Sequence, residues 1–179
     1  MEKPSVFLLS AGFQWRAGVL ACSTSRARGV RPDESGGRIQ EACRKWWRAE
    51  VVARRAVPDD RRTIARVLNN WCEQGVDIIF TTGGTGFSPS DVTPDATRDV
   101  VTREAPGLAE LMRLAWSKRS ELAWLSRGVA GFHEKTLILN LPGDPKTVGE
   151  CLKALRRVLP AALEIASGRM GEISLSPTR

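Results

Sequence analysis

No other stretch constrains the fold of this chain as tightly as residues 76–97. The short apolar run at 76–80 is what a strand covered on both faces looks like. It leads into Thr81-Thr82-Gly83-Gly84-Thr85-Gly86-Phe87-Ser88-Pro89-Ser90-Asp91-Val92, after which Thr93-Pro94 reads as a helix start, with Thr93 at the N-cap and Pro94 at N1. A buried strand that turns through glycines into a helix belongs to an α/β fold. Glycines accept positive φ and let the backbone approach a ligand, and their N–H groups beside a helix start favour an anion. A plain strand-to-helix turn explains part of this pattern. Three glycines, several hydroxyls and an aspartate exceed what a turn requires.

The same alternation recurs along the chain. Residues 17–23 read as a first strand, 23–37 as a polar loop rich in Gly and Arg, and 39–49 as a helix with Ala42, Cys43, Trp46 and Trp47 apolar. A second strand over 51–57 stops at Pro58. Asp59-Asp60 then opens a helix in which Ile64, Val67, Leu68 and Trp71 fall at i, i+3, i+4 and i+7, and Gly75 ends it. Pro106-Gly107 breaks the helix begun near Thr93, and another follows over 108–118. Strands at 125–131 and 136–140 flank a polar turn. The sharp loop Leu141-Pro142-Gly143-Asp144-Pro145 leads into a helix capped by Asp144, with Pro145 at N1, running to about residue 167. The expected fold is α/β, a mostly parallel sheet flanked by helices on both faces, in one domain over 1–179. Its core spans about 17–167, with loose tails at 1–15 and 169–179.

Composition narrows the partners. A hydrophobic share of 42% supports a real core. The net charge of +7 favours acidic partners, either nucleic acid or a small phosphorylated ligand. Trp46, Trp47 and Trp71 fall within apolar helical patterns, which favours packing over base stacking, and no RNA-binding signature or zinc finger is present. A nucleic-acid partner is therefore not expected. Cys22, Cys43, Cys72 and Cys151 have no CxxC spacing, and His133 is the single histidine, so a structural zinc site is disfavoured. Val19-Leu20-Ala21-Cys22 loosely resembles a lipoprotein cleavage site, but Gln14 and Arg16 interrupt the hydrophobic region before it. No segment approaches the length of a membrane span. A cytoplasmic protein with reduced thiols is expected.

The chemistry available in the loops follows from residue type. The glycine loop is not a Walker A motif, lacking Lys-Ser/Thr after its last glycine, nor a dinucleotide fingerprint, lacking the third glycine. Asp91, just before the helix, reads either as a cap or as a carboxylate that holds Mg²⁺ beside phosphates. Asp59 and Asp60 stand at the carboxyl end of the second strand. Capping explains one of them, and the other can converge with Asp91 on one site. Ser126 alone means little. With a single histidine and no tyrosine, a histidine-dependent triad is disfavoured.

Several motifs in one order carry a resemblance: Val57-Pro58-Asp59, Thr82-Gly83-Gly84-Thr85-Gly86-Phe87, Asp91-Val92-Thr93-Pro94-Asp95-Ala96-Thr97, Pro106-Gly107, Leu125-Ser126-Arg127, and Leu139-Asn140-Leu141-Pro142-Gly143-Asp144-Pro145-Lys146. Together, over about 17–167, they resemble the molybdopterin adenylyltransferase family of the MogA and gephyrin G-domain type. The resemblance implies a homotrimer that uses ATP and Mg²⁺ to adenylylate the terminal phosphate of molybdopterin, then hands the product to a molybdenum-insertion protein. It implies catalytic and metal-holding roles for Asp59 and Asp91. Gly83, Gly84, Thr85, Gly86 and Ser126 then bind the nucleotide. Asp33, Ser35, Gly36, Pro142, Gly143 and Pro145 bind molybdopterin. One departure stands out: the family usually has Ser-Asp after the first strand, and this chain has Ser23-Thr24. Activity is still expected, because Asp59 and Asp91 remain; other readings are a non-catalytic molybdopterin carrier, which that departure makes conceivable, and a competence-damage-type nucleotide pyrophosphatase, which usually carries an additional domain.

Overall fold

The computed structural model describes residues 14–168. Strands β1 (Arg16–Cys22), β2 (Glu50–Val57), β3 (Ile78–Thr82), β4 (Arg103–Glu104), β5 (Ala130–His133) and β6 (Thr136–Leu141) form one sheet in the order β2-β1-β3-β6-β5-β4. β2, β1, β3 and β6 are parallel neighbours, while β5 and β4 add an antiparallel edge. The helices are α1 (Thr24–Ala27), α2 (Glu34–Ala42), α3 (Arg61–Glu73), α4 (Thr93–Arg98), α5 (Pro106–Ser117), α6 (Pro145–Leu155) and α7 (Leu159–Ser167).

Alternate side chains of each central strand enter opposite cores. On one face Val19, Ile78, Phe80, Leu137 and Leu139 pack with apolar residues of α2, α5, α6 and α7. On the other, Leu20, Ile79 and Ile138 pack with Ile64, Leu68 and Trp71 of α3 and Ala96 of α4. This is the expected three-layer arrangement, and it explains why β3 is buried at every position and opens on the unbroken apolar run Ile78-Ile79-Phe80. Each such side chain contributes about 1.5–3 kcal/mol on burial. Trp47 stacks on Phe80 at 5.8 Å, and its Nε1 donates to the Arg156 carbonyl. Trp47 and Trp71 are core residues as expected. All four cysteines are free. Among the described residues, no helix is long and apolar enough to cross a membrane.

Several expected boundaries move. The loop expected at 23–37 contains α1 and the first turns of α2, because the Asp33 carboxylate accepts the Gly36 N–H and starts the helix early. The helix expected over 39–49 ends at Ala42, and a π turn (Cys43–Trp47) follows it. β3 runs later than 76–80, because Thr81 and Thr82 are satisfied in the interior. Asn140 Nδ2 donates to Thr81 Oγ1, and Thr82 Oγ1 donates to the Pro142 carbonyl. Val92, not Thr93, is the N-cap of α4, so Thr93 is already helical. The strand expected at 125–131 is displaced: Glu121–Leu125 is a 3₁₀ turn, and pairing starts only at Ala130. Pro160, lacking an amide N–H, stands where the helix expected to reach 167 divides into α6 and α7. Pro106 opens α5 rather than breaking a helix. Trp15 is buried and its carbonyl accepts the Glu50 N–H, so it is no part of a loose tail. The rest of the tails expected at 1–15 and 169–179, apart from Gln14, lies outside the described residues.

Candidate active site

β1, β2, β3 and β6 run parallel, so the loops that leave their carboxyl ends meet at one edge of the sheet, where ligands bind in open α/β sheets. The glycine loop occupies the middle. Gly83 and Gly84 have φ of 94° and 62°, in the left-handed region. A Cβ on Gly83 would lie 2.5 Å from the Cys22 carbonyl oxygen, and one on Gly84 would lie 2.5 Å from Thr93 Oγ1. Both positions therefore need glycine for conformation and for space. The Gly83 N–H is held by the Leu141 carbonyl, and the Gly84 carbonyl by the Thr93 N–H. By contrast, the amides of Gly84, Thr85, Gly86 and Phe87 donate to no acceptor among the described residues. Adjacent unbonded amides in glycine-rich backbone form an anion cradle.

Two carboxylates flank this cradle. Asp59 Oδ1 lies 3.6 Å from the position of a Cβ on Gly84, and Asp91 Oδ2 lies 2.8 Å from that of a Cβ on Gly86. The capping question resolves at both ends. Asp60, not Asp59, caps α3 by accepting the Thr63 N–H, and its hydrogen bonding to Thr63 holds its carboxyl below the usual range. Asp59 is left for the site. Its Oδ2 accepts from the Thr24 N–H at 2.8 Å and from Thr24 Oγ1 at 2.9 Å, and its own N–H returns to Thr24 Oγ1. Thr24, where the motif led us to expect a carboxylate, thus grips the carboxylate that remains. Asp91 does not cap α4. Its Oδ2 accepts the Ser88 N–H at 2.9 Å, which closes its own turn.

Arg127 was named only as part of a motif, and its side chain clamps the loop. Nε donates to the Gly86 carbonyl, Nη2 to the Asp91 carbonyl, and the fork pairs with both Asp95 carboxylate oxygens. Its N–H bonds the Thr85 carbonyl. The Arg127 guanidinium holds the Asp95 carboxyl below the usual carboxylate range.

The other expected residues divide between two groups. Pro142 and Gly143 lie beside the cradle: the Pro142 carbonyl accepts from Thr82 Oγ1 at 2.6 Å, and a Cβ on Gly143 would be 3.5 Å from Gly83 Cα. The Gly143 carbonyl accepts from Ser35 Oγ at 2.8 Å and from Arg26 Nη2 at 3.0 Å, so the start of α2 and the segment after β1 are tied to this second loop. Asp144 caps α6 through the Thr147 N–H, and Pro145 opens the helix. Asp33 and Gly36 face each other. The Asp33 carboxylate binds the Gly36 N–H and pairs with Arg54 at 3.0 Å, turned to the edge strand rather than the cradle. Ser126 Oγ accepts the Gly128 N–H and lines a cavity of about 340 Å³ with Arg98, Arg113 and Arg127. Under the cradle, burial pushes the Cys22 thiol up to about 12, so it is no nucleophile. His133 binds the Val100 carbonyl through Nδ1, away from all of these groups.

Thr93 Oγ1 is buried beneath Gly84, with the Cys22 thiol as a weakly hydrogen-bonding polar neighbour.

Known proteins are similar to this chain over most of its length. The family model described as "Probable molybdopterin binding domain" matches residues 18–163. A Helicobacter pylori protein named molybdopterin adenylyltransferase is 37% identical over 164 residues, covering 88% of this chain and 90% of that one. The crystal structure of the molybdopterin biosynthesis enzyme MoaB from Thermus thermophilus is 47% identical, with a TM-score of 0.81, covering 87% of this chain and 98% of that one. The molybdopterin biosynthesis Mog protein from Mycobacterium ulcerans is 35% identical, with a TM-score of 0.81, covering 87% and 99%. The family match runs from within β1 through the rest of the sheet and takes in all the loops just described, and on that ground the chain belongs to the molybdopterin-binding domain family.

Proposed function

We propose that the protein is a molybdopterin adenylyltransferase, a single molybdopterin-binding domain that transfers AMP from ATP to molybdopterin. The observation that carries this reading is the row of unbonded amides at Gly84, Thr85, Gly86 and Phe87, flanked by Asp59 and Asp91. The names of the relatives supply the substrates. The amides cradle the phosphates of the nucleotide, and the loop at Pro142–Pro145 with Ser35 borders the pterin. A terminal phosphate oxygen of molybdopterin attacks the α-phosphorus of ATP, the bond to the bridging oxygen breaks, and pyrophosphate leaves. Such transfers need positioning and electrostatic stabilisation more than covalent help from the protein.

The donor set suits Mg²⁺. This ion takes one or two protein carboxylates and completes its shell with water and substrate phosphates, and among the described residues no cluster of three acidic, His or Cys groups exists to form a closed cage. Asp91 and Asp59 would hold it. Bound there, it would neutralise phosphate charge. Asp59 keeps Oδ1 free for that purpose, because Thr24 occupies Oδ2. We also propose the homotrimer, delivery to a molybdenum-insertion protein, and a cytoplasmic location. Exposed apolar side chains at Leu114, Leu122, Trp124 and Leu125, on α5 and the turn after it, suit a subunit interface.

The test is pyrophosphate release with ATP, Mg²⁺ and molybdopterin, run beside Asp91→Asn. The wild-type protein releases pyrophosphate only with all three present, and the variant loses roughly hundredfold or more in turnover with ATP affinity little changed. Pterin binding without pyrophosphate release would establish a carrier instead. Unchanged turnover in the variant would remove Asp91 from the mechanism.

A further inference from the structure

The segment after β1 carries a cation that neither the motif nor the loop architecture explains. Residues 23–32 contain Arg26, Arg28 and Arg31 and no acidic residue. Arg28 and Arg31 are exposed, whereas Arg26 is half-buried. Its Nη2 donates to the Gly143 carbonyl, and its Nη1 lies 3.7 Å from where a Cβ on Gly83 would stand. The guanidinium therefore bridges the glycine loop and the Pro142–Pro145 loop, next to the free amides.

No carboxylate pairs with Arg26 among the described residues, and Asp59, on the neighbouring strand end, is bound to Thr24. A guanidinium has five N–H donors in a planar fork, and here a single carbonyl hydrogen bond engages it. Partly burying a cation without a counter-charge costs free energy, which an incoming anion returns. Gly143 has a second donor of its own in Ser35 Oγ, so the loop is anchored without Arg26. The fork has a use that anchoring leaves unfilled.

We propose that Arg26 is a phosphate-binding residue of this site, resting on the reading of the site as a phosphate-handling one. Its guanidinium receives a phosphate oxygen at the seam between the glycine loop and the Pro142–Pro145 loop. The neutral Thr24 and the cationic Arg26 make this seam more positive than the Ser-Asp pattern would. The phosphate belongs either to ATP or to the terminal group of molybdopterin, and the two arms of the test tell them apart.

The test measures equilibrium binding of ATP alone and of molybdopterin alone to the wild-type protein, Arg26→Gln and Arg26→Lys, beside kcat and KM for pyrophosphate release. Gln retains a donor for the Gly143 carbonyl and removes the charge, while Lys retains the charge and removes the fork. We expect Arg26→Gln to weaken one arm by roughly tenfold to hundredfold, with the other arm within a few-fold. Arg26→Lys recovers part of the loss, and added salt narrows the gap between the wild-type protein and Arg26→Gln. The loss falls on KM for that ligand more than on kcat, and both variants melt near the wild-type temperature. Wild-type affinity of Arg26→Gln for both ligands overturns the proposal, whatever its turnover. An Arg26-dependent affinity in a protein that releases no pyrophosphate sinks the adenylyl-transfer reading and supports this one. Failure of the wild-type protein to bind either ligand overturns both.

Discussion

Asp59 and Asp91 border the same glycine loop, yet one is aimed by a residue 35 positions away and the other by its own turn. On the Asp59 side, Thr24 at the end of β1 reaches the end of β2, and the wall exists only because those strands are neighbours in a parallel sheet. On the Asp91 side, the Ser88–Asp91 turn is local, and Arg127, from beyond the 3₁₀ turn, fastens it from outside. The first wall inherits its rigidity from the sheet. The second has little of its own and borrows it from one guanidinium. The two walls should therefore fail differently: the sheet-built wall through backbone clashes at its base, and the loop wall through loss of its clamp.

The largest effect is expected where the walls meet. Gly83→Ala forces a left-handed residue with φ of 94° to carry a Cβ 2.5 Å from the Cys22 carbonyl oxygen, a backbone atom that cannot swing aside. We expect a loss of about 2–4 kcal/mol in chemical denaturation, combining strain with displaced backbone, and loss of pyrophosphate release. Gly149→Ala, inside α6 with open space around it, provides the control. It should be neutral or stabilise by up to about 1 kcal/mol. Equal stability of the two variants would show that the base of the loop is not rigid.

Arg127→Ala tests the loop wall alone. It releases the Gly86 and Asp91 carbonyls and leaves Asp95 with only the longer 4.0 Å pairing to Arg98. Stability should fall by about 1–2 kcal/mol, since the pair is partly exposed, while turnover falls by roughly tenfold or more as Asp91 loses its aim. Acid titration sharpens the point. Arg127 depresses the Asp95 pKa in the folded protein, so this stabilisation is present above the ordinary carboxylate pKa of about 4. It is lost as pH falls through the lower folded value. The variant should show a shallower loss of stability over that acidic range. Identical acid denaturation of the two proteins would mean that Arg127 does not hold Asp95.

The same contrast sets how much could be read from the sequence. The loop wall was legible because its parts are contiguous: the glycines, Asp91 and the helix after Pro94 lie within a short span, and local chemistry names each of them. The three-layer fold was legible because the apolar runs at 76–80 in front of the glycine loop and 137–139 in β6 do not alternate, which requires cover on both faces. The Asp59 wall was legible only as a residue. Whether Asp59 or Asp60 capped α3 depends on where the helix starts, and Thr24 looked like a loss because its partner lies across strands whose pairing no local pattern reveals. The sequence hides Arg26 for a similar reason, since its neighbours Gly83 and Gly143 are distant along the chain. Asp33 points to Arg54 because β2 is the edge strand, which composition does not announce.

The smallest expected effect comes from the residue that departs from the motif. Thr24→Ala removes the hydroxyl that donates to Asp59 Oδ2 and accepts the Asp59 N–H, but the Thr24 backbone N–H still holds Oδ2 at 2.8 Å. One of the two donors to the carboxylate survives, so the cost should be about 0.5–1.5 kcal/mol, with turnover falling only a few-fold. Thr24→Ser keeps the hydroxyl and should recover most of that loss. Thr24→Asp restores the motif's carboxylate but removes the hydroxyl grip and sets a like charge against Asp59. Its pyrophosphate release should fall below that of Thr24→Ala, and added Mg²⁺ should narrow the difference. A Thr24→Asp protein as active as wild type would mean that the grip on Asp59 is dispensable, and that the sheet alone aims this carboxylate.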